Sequence, residues 1–60
     1  MKVKTMNGEV LDLQCQQYTL GLYVCLYEKG RMHSQYVFDT TQEKFIKDIK
    51  DGNTNFKLVK

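Results

Sequence analysis

This 60-residue chain carries two cysteines and one histidine. Cys25 and His33 are the pair that could act together. A thiol beside an imidazole begins a nucleophile pair, and it is also half of a zinc site. Catalysis needs a third group to orient the base, an oxyanion hole and a pocket. A structural zinc needs about four ligands, yet only Cys15 remains and no CxxC spacing occurs. The carboxylates are scattered, with no pair placed for acid–base work, and Asp39 is better used near a helix N-terminus. The glycines stand singly and form no phosphate loop. The expectation is therefore a non-enzymatic protein with no catalytic residue, metal, cofactor or small-molecule substrate.

A second set of residues suits recognition. Tyr23 and Tyr27 lie in a strictly alternating run, and Arg31, His33 and Gln35 follow in the next one. Aromatics flanked by cations on a sheet can stack bases while the cations meet phosphates. The same residue types, Tyr and Arg above all, are enriched at protein–protein hot spots. The ordinary alternative is that Tyr is a strand former that tolerates a half-wet face.

The turns fix which elements position these groups. Asn7-Gly8 signals a hairpin. A three-residue loop, Met6 to Gly8, pairs Thr5 with Glu9, Lys4 with Val10, Val3 with Leu11 and Lys2 with Asp12. Met1, Val3, Leu11 and Leu13 then share one face, whereas a two-residue loop would mix apolar and charged groups on both. The same kind of loop at Glu28-Lys29-Gly30 pairs Tyr27 with Arg31, Cys25 with His33 and Tyr23 with Gln35. It collects Leu20, Leu22, Val24, Leu26, Met32, Tyr36 and Phe38 on a core face. Gln14 to Gln17, including Cys15, reads as the connection between the hairpins. Gly21 falls mid-strand, marking a bend or a close backbone approach.

Thr40-Thr41-Gln42-Glu43 predicts a helix capped by Thr40 with Glu43 closing a capping box. Phe45, Ile46 and Ile49 form its apolar stripe, and Gly52 suits its C-terminus. Phe56 to Lys60 predicts a short last strand at an undetermined edge. The expected fold is α+β over residues 1–60: two antiparallel β-hairpins in a four-stranded meander, one helix on one face, and a C-terminal strand, ββββαβ. The other face is left open, with Tyr23, Tyr27, Arg31, His33, Gln35, Lys2 and Lys4 as the candidate binding residues.

Composition bounds the function. Apolar residues are 42% and charged residues 27% of the chain, which reads as a folded soluble domain. A chain this short buries only about 60% of its unfolded surface, so the core is thin. The net charge of +2 does not demand a nucleic-acid partner. No apolar run approaches a membrane span, and Met1 to Lys4 leads into no signal-peptide core. Two cysteines make no disulfide framework. These features predict a cytoplasmic protein without a membrane partner, and one of accessory or inhibitor size. It would bind a protein or a second copy of itself through the open face or an edge strand, with single-stranded nucleic acid on the same face as the alternative.

Overall fold

The computed structural model describes residues 1–59. Strands β1 (Lys2–Lys4), β2 (Val10–Tyr18), β3 (Gly21–Glu28) and β4 (Arg31–Phe38) are followed by helix α1 (Gln42–Lys50) and strand β5 (Lys57–Leu58). All neighbours are antiparallel, in the order β4-β3-β2-β1-β5. This is the expected α+β architecture, and β5 takes the edge beside β1.

The first hairpin has the expected register. Val3 lies opposite Leu11 and Lys2 opposite Asp12, with the loop closed by the Thr5 and Gly8 amides. Gly8 supplies the positive φ, +85°, that ends a three-residue loop with a bulge.

The second hairpin differs from expectation. Its loop has two residues, Lys29 and Gly30, with φ of 51° and 81°, so Glu28 faces Arg31. Two positive φ values are the signature of a type I′ turn, whose twist matches that of its strands. That turn alone would set Leu26 opposite His33 and Val24 opposite Gln35, polar against core. A bulge at His33 corrects the phase: Tyr27 pairs Met32, Leu26 pairs Ser34, and Leu22 pairs Phe38. The register is thus displaced by two residues from the expected one beyond the bulge. Two is the strand period, so most side chains keep their expected face.

The remaining corrections follow. β2 runs on to Tyr18, so Gln14 to Gln17 are strand residues, and Thr19-Leu20 is the turn. Leu20, expected in the core, is 89% exposed there. Met32, opposite Tyr27, moves to the open face. Gly21 starts β3 opposite Tyr18 rather than sitting across from Val37. A Cβ on Gly21 would lie 2.9 Å from the Phe38 carbonyl oxygen, so the close-approach reading accounts for this glycine. The helix is capped by Thr41, not Thr40: its hydroxyl accepts from the Lys44 amide. The C-terminus closes on Gly52, with Gly52 N–H to Ile49 and Asn53 N–H to Asp48, a Schellman pattern.

Alternation decides the core. Val3, Leu11, Leu13, Leu22, Val24 and Leu26 point to one side and are buried, where Phe45 and Ile49 of α1 meet them. Each such side chain contributes about 1.5–3 kcal/mol on burial. Gln17 ties sheet to helix: its Oε1 accepts from the Gln42 amide at 2.8 Å, and its Nε2 reaches the Thr40 carbonyl at 3.3 Å.

Two substitutions test this account in urea melts. Gly21→Ala is expected to lower stability by about 1–3 kcal/mol, because the added methyl meets fixed backbone. Thr41→Ala is expected to lose about 1 kcal/mol of capping, while Thr40→Ala loses much less. Equal effects at Thr40 and Thr41 would contradict the observed cap.

Candidate functional site

Facing residues in adjacent strands share a face. The face away from α1 therefore runs in rows: Lys2–Asp12–Tyr27–Met32, then Gln14–Cys25–Gln35, then Gln16–Tyr23–Val37, with Tyr18 beside Gly21. Lys4 and Val10 continue it over β1. Of the expected binding residues, five are brought together here: Tyr23, Tyr27, Gln35, Lys2 and Lys4.

The other two are not. Arg31 lies opposite Glu28 at the hairpin tip, one position out of phase with this face. His33, displaced by the bulge, turns to the helix side. Its Nε2 is 2.9 Å from Glu9 Oε2 and its Nδ1 is 3.2 Å from Ser34 Oγ. An Nε2–H that donates to the carboxylate leaves Nδ1 to accept from the Ser34 hydroxyl. The Cys25–His33 juxtaposition is thereby removed, since Cys25 faces Gln35.

The register also adds Tyr18, together with Gln14 and Gln16, which the sequence assigns to a connection. Tyr18 lies edge-on to Tyr23, with ring centroids 4.6 Å apart, a favoured aromatic geometry. Gln14 and Gln16 stand on β2 opposite Cys25 and Tyr23 of β3. Together with Tyr23, Cys25 and Tyr27 they line a small hollow of about 170 Å³. The signal that could have found them is the alternation of Val10-Asp12-Gln14-Gln16-Tyr18 against Leu11-Leu13-Cys15, which continues without a turn residue until Thr19.

The chemistry available here is contact chemistry. Aromatic and aliphatic surface alternates with carboxamides that can donate and accept. Val10, Met32 and Val37 are each at least half exposed. Charge is confined to one end, where Lys2 and Lys4 stand near Asp12. Among the described residues, no cluster of three or more His, Cys, Asp or Glu is placed to hold a metal. Both cysteines are free. Cys15 lies in phase with Leu11 and Leu13 and packs against the core, whereas Cys25 belongs to the open face, so the sheet separates them. Burial pushes the Cys15 thiol above its ordinary range.

No match is found to the chain among family models, curated proteins or solved structures. The functional reading therefore rests on this geometry.

The placement of the thiols is checkable by alkylation. Only the thiolate reacts, so Cys15, raised and packed against the core, is expected to be modified more slowly than Cys25 at pH 8. Denaturant should equalise the two rates. Peptide mapping of partly alkylated protein measures both, and equal rates in the folded state would contradict the assignment of the two faces.

Proposed function

We propose that this chain is a non-enzymatic protein-binding domain whose docking surface is the open sheet face. The observation that carries the reading is the gathering of Tyr18, Tyr23 and Tyr27 with Val10, Met32 and Val37 on the side α1 does not cover. Rigid aromatics bury large area at small entropic cost, and carboxamides around them satisfy a partner's polar groups. Charge-poor, aromatic surface is the composition of interface cores.

Single-stranded nucleic acid is the weaker reading. The phosphate contacts it calls for are Lys2, Lys4 and Arg31. Arg31 and His33 lie off the face, and Asp12 sits beside Lys2. Two lysines offset by a carboxylate leave little for a polyanion. A reducing, cytoplasmic setting is part of the proposal and accords with two free thiols held on opposite faces of the sheet. Among the described residues, no helix is long and apolar enough to cross a membrane.

A photo-cross-linker in place of Gln35, beside Cys25 on the open face, tests this in cells expressing the protein. Discrete protein adducts are expected, and they should disappear when Tyr23→Ser and Tyr27→Ser are combined with it. The same cross-linker at Lys50, on the helix, should give none of them. Adducts that survive the tyrosine substitutions would refute the reading. Oligonucleotide binding that falls steeply with salt would put the nucleic-acid reading in its place.

A further inference from the structure

The helix side of the sheet is only half covered. Five strands at about 4.8 Å spacing are about 19 Å wide, while a helix with its side chains is about 10 Å across. α1 packs against β2 and β5, and its Phe45 and Ile49 close the core over Leu22, Val24 and Leu26 of β3, which leaves the outer strip at β4, around Tyr36, without a layer above it. A trough of about 730 Å³ lies there. Its floor and inner wall are Leu26, Tyr36, Phe38, Phe45 and Phe56. The rings form a continuous row, with centroids 5.9 Å apart for Tyr36–Phe38, 5.3 Å for Phe38–Phe45 and 6.4 Å for Phe45–Phe56. At the outer end Tyr36 is 45% exposed.

The rim has the opposite sign to the chain. Glu9, Asp39 and Asp48 border the trough against Lys44 alone, although the chain as a whole carries +2. His33 and Glu9, bonded to each other, close the end beside the first hairpin. β4, at the open side of the trough, is eight residues long, so it runs about 26 Å, the length of a helix of about 17 residues.

We infer that the trough receives an amphipathic, basic α-helix from a partner protein, laid beside α1 along β4. Such a helix completes the layer that α1 begins: its apolar face covers the aromatic row, and its flanking lysines or arginines meet Glu9, Asp39 and Asp48. This is helix-in-groove recognition. It uses the face opposite to the docking surface proposed above and does not depend on it.

The probe is a synthetic peptide of about 17 residues with leucines at helical spacing and lysines on both flanks. Its counterpart has glutamate at every lysine position. Amide NMR titration with the basic peptide is expected to shift Leu26, Tyr36, Phe38 and Phe45, and the acidic peptide is expected to bind at least about tenfold more weakly at low salt. Tyr36→Ala should weaken the basic peptide about tenfold, as truncation of an aromatic anchor does. Asp39→Lys, a rim change that leaves the floor intact, should weaken the basic peptide and strengthen the acidic one. The Tyr23→Ser/Tyr27→Ser variant should bind the basic peptide unchanged, which separates this inference from the open-face proposal. Shifts confined to the open face, equal affinity for the two peptides, or no shift at millimolar peptide would overturn it. So would a dimer in sedimentation whose interface protects the Tyr36 amide, since a second copy would then be the occupant.

Discussion

One helix must cover a five-stranded sheet, and it cannot. A sheet has two faces, and each is wider than a helix. The chain commits its strongest apolar residues to the single region α1 can reach: Val3, Leu11, Leu13, Leu22, Val24 and Leu26. Everything beyond that reach must live with water. The open face does so with tyrosines, glutamines and a few aliphatics. The uncovered helix-side strip does so with Tyr36 and a rim of carboxylates. Both candidate surfaces follow from this one shortage of covering structure in a short chain.

Strand period explains what was legible in the sequence. Alternation alone assigns Val3, Leu11, Leu13, Leu22, Val24 and Leu26 to one side, and the structure has them there. A register wrong by two residues keeps these assignments, because two is the period. The first hairpin could be settled because its alternative loop differed by one residue and spoiled both faces. The second could not. The expected and observed pairings share parity, and what separates them is whether Lys29 enters the left-handed region. That choice costs a non-glycine residue about 1–2 kcal/mol, and it is offset by strand pairing that no local pattern displays. The same blindness placed Leu20 in the core: a strict alternation of Leu20, Leu22, Val24 and Leu26 continues through a turn that holds no glycine, proline or asparagine.

The bulge at His33 has the largest effect on the site. Where pairing is regular, a residue's face follows from counting. An inserted residue breaks the count for itself and for those on its turn side. His33, Met32 and Arg31 are those residues. Met32 reaches the open face, Arg31 leaves its expected place across from Tyr27, and the imidazole finds Glu9. The residues beyond the bulge, Gln35 and Val37, stay on the open face. The bulge thus takes cationic and imidazole chemistry away from the tyrosines and leaves a face that is aromatic and carboxamide in character.

The same bulge bears on how β4 meets a partner. An eight-residue edge strand exposed along most of its length offers backbone groups to any other strand. Three features oppose that use: the positive charge of Arg31, the irregular backbone at His33, and the fixing of that imidazole by a carboxylate on another hairpin. Bulges and charges are the devices by which sheets avoid edge-to-edge pairing. β5, at the opposite edge, is only two residues long and offers little to pair with. With one edge irregular and the other short, the surfaces this fold leaves open to contact are its faces, which present side chains rather than backbone.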